Sequence, residues 1–301
     1  MMSSVNPEDH WELPARRVVD AAAVEQRLGE HPLRIEPLSG GRANVNLRVD
    51  DGRVLRIYQR DRTAARKEAT LLGRNWRSFV VPRVLDIGDD FIIIEFVPHS
   101  ALRYTAHDGA QLGRALAEIH STRFEAFGFL DRDLNVAEPF ADFILALEEH
   151  AASEISRAAL PMASDLVHRV DRFVRARRQA LNEIAAVPLL LHGDFKASNL
   201  RRAQRDDALL VFDWEFAYAG AALLDVGQLF RWGVSPEFTA SFERCYLDGG
   251  GILPPQWQHW AAVFDLFNLA GLLRGAAAGS RQFHDVAHRI EQTLTASRHS
   301  A

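Results

Sequence analysis

The sequence predicts an α+β fold in two lobes: a small antiparallel-sheet lobe over residues 1–97 and a larger, mainly helical lobe over residues 98–301. Three observations carry that prediction. The first third is built of short runs that alternate polar and apolar residues between Gly- and Asp-containing turns, the pattern of paired strands. From Pro98 onward the apolar residues recur at three- and four-residue spacing instead. Within that helical stretch two short apolar runs end directly in polar clusters, His192-Gly193-Asp194 and Asp213-Trp214-Glu215.

Taken in order, Asp20 caps a helix through Leu28 that stops at Gly29. Leu33–Leu38 reads as a strand running into Ser39-Gly40-Gly41. Residues 45–49 and Val54–Tyr58 alternate in period two around the turn Asp50-Asp51-Gly52, which makes them a hairpin. Thr63–Trp76 reads as a helix, with Ala65, Ala69 and Leu72 at helical spacing. Val80–Ile87 and Phe91–Val97 are two more strands around Gly88-Asp89-Asp90. Beyond Pro98, Asp108 is placed to cap a helix to His120. Further helices are expected over Pro139–Ala152, Asp165–Ala185, Pro236–Leu247, Pro255–Leu273 and His284–Ser297. Only Val187–Leu191 and Leu209–Phe212 read as strands in this half.

The bulk properties exclude several classes. A chain of 301 residues can bury a core in each lobe. Its net charge of -5 opposes the basic face of a nucleic-acid binder. The single cysteine, Cys245, rules out an internal disulfide framework and a Cys-rich zinc site. The polar, acidic start of the chain shows no secretory signal, and no apolar run is long enough to span a bilayer. The expectation is a soluble cytoplasmic protein with no nucleic-acid or membrane partner. Of the 35 basic residues only two are lysines, Lys67 and Lys196. A chain that drifts so far toward Arg has either kept those two for a chemical reason or simply left them over.

The polar clusters hold the chemistry. In His192-Gly193-Asp194-Phe195-Lys196-Ala197-Ser198-Asn199, an Asp is followed five positions later by an Asn. That is the spacing of a kinase catalytic loop, in which the Asp orients the acceptor hydroxyl and the Asn holds a metal ion. Alone it arises often by chance. Here it follows a strand and His192, and a second strand then delivers Asp213. The plainer reading takes these Asp and Asn residues as unrelated turn formers, and the joint spacing argues against it.

His192–Asn199 with Phe212-Asp213-Trp214-Glu215 resembles the aminoglycoside phosphotransferase and choline kinase-like family, which has a protein kinase-like fold and phosphorylates small molecules. The resemblance runs from about Leu33 to Trp232. It implies ATP and Mg as cofactors and a small-molecule hydroxyl as acceptor. It makes Asp194 the catalytic base, Asn199 and Asp213 the Mg ligands, and His192 the residue that orients the loop. Asp225 matches an Asp that supports that loop. Lys196 falls where many kinases carry a Lys that contacts the transferring phosphate, although a solvent-facing loop Lys would look the same.

By the same resemblance, Ser39, Gly40 and Gly41 lie where a loop should cover the phosphates, without matching Gly-x-Gly-x-x-Gly. Arg56 takes the place of the Lys that grips the α- and β-phosphates, a departure from the pattern because Arg and Lys are not equivalent there. It shares a strand face with Val54 and Tyr58, opposite Leu55 and Ile57. Glu68 is its candidate ion-pair partner, or else a solvated helix-surface residue. Glu95, Phe96 and Val97 form the expected hinge, whose backbone would meet the adenine edge while Val54, Ile94 or Phe96 packs on the ring.

The acceptor is left open among sugars, amino alcohols and aminoglycoside-like molecules. Glu215, Asp265 and Glu148-Glu149 could attract a cationic acceptor. Trp214, Trp232, Trp257, Trp260, Phe264 and Phe267 could stack on a ring or cage a quaternary amine, but aromatics at this spacing more often form core. Two other classes compete with a small-molecule kinase. One is a non-catalytic pseudokinase or nucleotide-binding regulator, which Arg56 and the irregular glycine loop leave open and the set Asp194, Asn199 and Asp213 opposes. The other is a metal-dependent hydrolase using His192 and Asp194, for which no second ligand pair such as HExxH is present.

Overall fold

The period-two runs of the first third do pair. In the computed structural model, which describes residues 6–11, 20–38, 44–50, 52–158 and 163–296, α1 (Ala21–Leu28) is followed by β1 (Ile35–Pro37), β2 (Asn44–Val49) and β3 (Arg53–Tyr58). After α2 (Ala64–Leu72) come β4 (Val84–Ile87) and β5 (Phe91–Glu95). All five strands form one antiparallel sheet in the order β1-β2-β3-β5-β4. Asp20 caps α1 by accepting the Ala22 N–H, and Gly29 ends it in the left-handed region that suits glycine.

The alternation in β3 sorts its side chains into two cores. Leu55 and Ile57 join Val45, Leu47, Ile93 and the α1 residue Val24 on one face. Val54 and Tyr58 join Ile92, Ile94 and the α2 residues Leu71 and Leu72 on the other, continuous with the main core. Arg56 therefore points to the side that carries α2, as its parity with Val54 and Tyr58 predicts.

Four elements are shorter than predicted: the strands expected over Leu33–Leu38 and Phe91–Val97 lose end residues, and two others lose more. The strand expected from Val80 starts at Val84, because Pro82 interrupts it. Val80 bridges Leu210 instead, with Val80 N–H donating to Leu209 O at 2.8 Å. The helix predicted over Thr63–Trp76 stops at Leu72, before Gly73.

The second half opens with β6 (His99–Ala101) and continues through α3 (Ala106–His120), β7 (Gly128–Leu130), β8 (Val136–Pro139) and α4 (Phe143–Arg157). Next come α5 (Ala163–Arg175), α6 (Arg178–Ile184), β9 (Leu189–Leu191), β10 (Leu200–Ala203), β11 (Leu209–Val211) and β12 (Tyr218–Gly220). Four helices close the chain: α7 (Leu223–Phe230), α8 (Pro236–Asp248), α9 (Trp257–Arg274) and α10 (Arg281–Ala296).

Thr105, not Asp108, caps α3. Asp108 is the third helical residue and completes a capping box by accepting the Thr105 N–H. The helix expected from Pro139 begins at Phe143, capped by Asp142, because residues 136–139 pair with β7. The long helix expected over 165–185 is two, and neither Gly nor Pro marks the break. β6, β7, β8, β10 and β12 are additions to the two strands predicted here. At three or four residues each, they are too short for alternation to be visible.

These small sheets position the chemistry. β10 pairs with β11 and β6 in one sheet, while β12 pairs with β9 and β7 in another, so β9 and β11, which precede the two polar clusters, are each held by a short partner strand. No helix of the described residues is long and apolar enough to cross a membrane.

Candidate active site

β9 ends at Leu191 and delivers His192 into a tight turn. Gly193 takes φ +78°, and a Cβ there would sit 2.2 Å from Phe216 O, so no other residue fits without moving the backbone. The fully buried carboxylate of Asp225, on α7, accepts the His192 N–H at 2.7 Å and the Gly193 N–H at 2.9 Å. His192 Nε2–H donates to Phe212 O at 2.7 Å, while Nδ1 accepts the Asp194 N–H at 3.2 Å. One imidazole thus ties this loop to the end of β11, just before Asp213. Gln228 adds a second tie by accepting the Phe195 N–H at 2.6 Å and donating to Gly193 O at 3.0 Å.

That scaffold presents Asp194 between two donors. Lys196 Nζ is 3.0 Å from Oδ1, and Asn199 Nδ2 donates to Oδ2 at 2.8 Å and to the Asp194 carbonyl at 2.9 Å. Burial pushes the Asp194 carboxyl up, but the Lys196 ammonium and the Asn199 amide outweigh it and hold the group below its ordinary value. Burial pushes the Lys196 ammonium down, and Asp194 followed by Glu8 more than restores it. The pair is an ionised carboxylate beside a cation.

Asp213 follows β11 in a left-handed conformation, φ 69° and ψ 58°, which Asp tolerates better than most residues. Its Oδ1 accepts a hydrogen bond from Arg56 Nη2. Arg56 also lies 3.3 Å from Glu68 Oε2 and 3.5 Å from Glu215 Oε1, so one buried guanidinium serves three carboxylates. Tyr58 OH donates to Glu68 at 2.5 Å and Asn44 Nδ2 to Glu215 at 2.7 Å. Burial and then Asp213 raise the Glu215 carboxyl to about 7. Lys67 Nζ, also buried, donates to Ala217 O at 2.8 Å and fastens α2 to the turn after Asp213.

The structure therefore brings together His192, Asp194, Lys196 and Asn199 in one loop, and Arg56, Glu68 and Asp213 in one network. Ser39, Gly40 and Gly41 lie outside the described residues. Among those residues, no three His, Cys, Asp or Glu side chains are grouped to hold a metal ion. The Asp213 carboxylate and the Asn199 carbonyl oxygen are hard oxygen donors of the kind that Mg accepts alongside phosphate and water.

At the expected hinge, the Glu95 N–H donates to Arg83 O and the Phe96 N–H to Gly52 O, both at 2.9 Å. Those two amides are engaged within the chain. The Val97 carbonyl lies 2.7 Å from His99 Nδ1, and the Arg48 guanidinium covers the Phe96 ring at 4.0 Å.

Most of the residues offered for an acceptor are otherwise committed. Trp214 is fully buried, stacked on Trp76 at 5.1 Å and against His192 at 4.6 Å. Trp257, Phe264 and Phe267 are core. Glu215 faces Arg56, Asp265 pairs with Arg231 through two bonds of 2.8 Å, and Glu148 pairs with Arg175 and Arg178. Sequence reasoning missed Gln228, Arg231 and Glu8. Glu8 accepts from Trp232 Nε1 at 2.9 Å and lies 3.2 Å from Arg231, which carries the short turn Pro7–His10 to the helical lobe. No local spacing signals a contact across more than two hundred residues.

Comparisons with known proteins agree with this geometry. The family model described as "APH: Phosphotransferase enzyme family" matches residues 34–263. Among solved structures, the chain resembles a putative fructosamine-3-kinase from Thermobifida fusca YX-ER1, with TM-score 0.64 and 19% identity over 92% of this chain and 98% of that one. It also resembles the streptomycin–ATP–APH(2")-IIa ternary complex, with TM-score 0.64 and 17% identity over 93% and 99%. A choline/ethanolamine kinase family protein from Mesorhizobium loti gives TM-score 0.59 and 19% identity over 88% and 92%. At these identities the likeness establishes the kinase-like fold alone. No curated protein sequence matches the chain.

Proposed function

The chain belongs to the phosphotransferase enzyme family, and from that premise we propose that it transfers the γ-phosphoryl group of ATP, with Mg, to a hydroxyl of a small molecule. The observation that carries the reading is Asp194, held ionised between Lys196 and Asn199 on a loop that His192 ties to Phe212, the residue before Asp213.

In this reading Asp194 accepts the hydrogen of the acceptor hydroxyl. As the new bond from that oxygen to the γ-phosphorus forms, the bond from phosphorus to the β-bridging oxygen breaks and ADP leaves. The proton ends on Asp194. Lys196 stays within reach of the transferring group and offsets its charge, an effect typically worth a hundredfold or more in rate. Asn199 and Asp213 would hold Mg, which supplies charge neutralisation on the β- and γ-phosphates when bound. His192, Asp225 and Gln228 hold the loop in place without touching the reactants.

On the nucleotide side, Arg56 grips the α- and β-phosphates and is positioned by Glu68. Ser39, Gly40 and Gly41 cover the phosphates. Glu95, Phe96 and Val97 line the adenine, with the Val97 N–H as donor, since the Glu95 and Phe96 amides are engaged within the chain. We divide the lobes at residues 97 and 98, where β6 leaves the first sheet to pair with β10. The acceptor class is a sugar, amino alcohol or aminoglycoside-like molecule, and the protein works in the cytoplasm, where ATP is supplied.

Calorimetry of ATP binding with and without Mg, followed by a screen of such acceptors, tests this. Mg-dependent binding and acceptor-dependent ADP release are expected. No nucleotide binding with Mg present refutes the kinase reading. Binding without transfer to any acceptor points instead to a nucleotide-binding regulator, the reading that Arg56 on Asp213 favours.

A further inference from the structure

A cavity of about 710 Å³ opens between α9 and α10, with Gln256, Gln258, His259, Arg289, Gln292 and Thr293 as its polar lining. Among the described residues no carboxylate lines it. That composition contrasts with the arginines around it. Arg169 has Glu291, Arg231 has Asp265 and Arg274 has Glu154.

Arg289 lacks such a partner. It is half-buried, it makes no ion pair among the described residues, and its Nη1 reaches only Gln292 Oε1 at 3.4 Å. Asp265 pulls on it from a distance, but that carboxylate is already bound by two nitrogens of Arg231. Burial lowers the Arg289 guanidinium below its ordinary range, and Arg231 lowers it further. Burial and the nearby Arg177 likewise lower the His259 imidazole. A partly buried cation without a counterion loses some of its hydration unreplaced, and an entering anion offsets that loss.

We propose that this cavity binds a small organic oxyanion, a carboxylate or a phosphate monoester. Arg289 supplies the charge. Its planar fork matches two oxygens of either group, and the Gln amides and His259 supply further donors around them. The site itself does not depend on the chemistry assigned to Asp194.

His259 is a local reporter, distinct from any anion binding at the nucleotide site. Its ring signal in a proton NMR titration, identified by its loss in His259→Gln, would be followed against inorganic phosphate and, separately, acetate. Sodium chloride at matched ionic strength is the control. An anion seated beside the ring raises the pH at which His259 titrates, and the shift saturates. Arg289→Gln should weaken the response at least ~10-fold, and Arg289→Lys should retain part of it. A response to phosphate alone assigns a phosphoryl ligand, and a response to acetate as well admits carboxylates. The remaining histidine signals report whether each variant is folded. Absence of a saturable shift with either anion, or an equal shift in folded Arg289→Gln, overturns the proposal.

Discussion

The Lys196 ammonium lies 3.0 Å from Asp194 Oδ1, while Asn199 holds the other oxygen of the same carboxylate at 2.8 Å. This sandwich keeps a partly buried carboxylate ionised where burial alone would favour the neutral acid. In the proposed reaction Asp194 must be ionised to accept a proton, so that reading makes the contact matter for rate as well as for structure.

Replacing Lys196 by Met removes the largest influence opposing burial at Asp194. The Asp194 carboxyl then titrates at higher pH, and the acidic limb of the pH–rate profile moves up. The lost charge on the transferring group adds a fall in kcat of about 100-fold. Steady-state kinetics across pH measure both effects. A variant with reduced kcat and an unmoved acidic limb would show that Lys196 does not tune Asp194.

Arg56 compensates Glu68, Asp213 and Glu215 together, and all but Asp213 are deeply buried. Arg56→Met leaves three carboxylates facing one another and should cost about 3–5 kcal/mol of stability, the usual consequence of orphaning buried charge. Arg56→Lys keeps the charge but not the fork, so it should melt between Arg56→Met and the parent protein. Thermal unfolding of the three proteins without nucleotide checks that order.

Glu215 supplies a pH dependence with a definite sign. Its carboxyl titrates at about 7 in the folded chain, above its ordinary value, because of burial and Asp213. Between that ordinary value and about 7 the folded state holds the extra proton, so this contribution to stability is present at low pH and is lost as pH rises. Glu215→Gln keeps an acceptor for Asn44 without the charge. It should match the parent protein near pH 5 and melt a few degrees higher near pH 8. A constant difference at all pH values would contradict this.

Much of the site was readable before the structure because its residues are close in sequence. His192, Asp194, Lys196 and Asn199 share one loop, and Asp213 ends the next predicted strand. Strand parity alone put Arg56 on the face of Val54 and Tyr58, and the structure places it against Glu68. The two lysines that the chain keeps both prove to be engaged, Lys67 on Ala217 O and Lys196 on Asp194. Other features were settled only by folding. Trp214 and Glu215 follow Asp213 directly and could have met an acceptor, but the structural role was the stronger reading, and the turn that exposes Asp213 buries both neighbours. Gln228, Arg231 and Glu8 act across folded distance, where spacing carries no information. β10 and β12, the partners of β11 and β9, are too short to show a period.

The most direct test of the central claim compares the parent protein with Asp194→Asn in acceptor-dependent ADP release, alongside calorimetric ATP affinity with Mg. Asn keeps the shape of the side chain but cannot take the proton. Transfer should fall by at least ~10²-fold while ATP affinity changes little. Transfer by Asp194→Asn at the parent rate would contradict the assignment of Asp194 as the base on which this account rests.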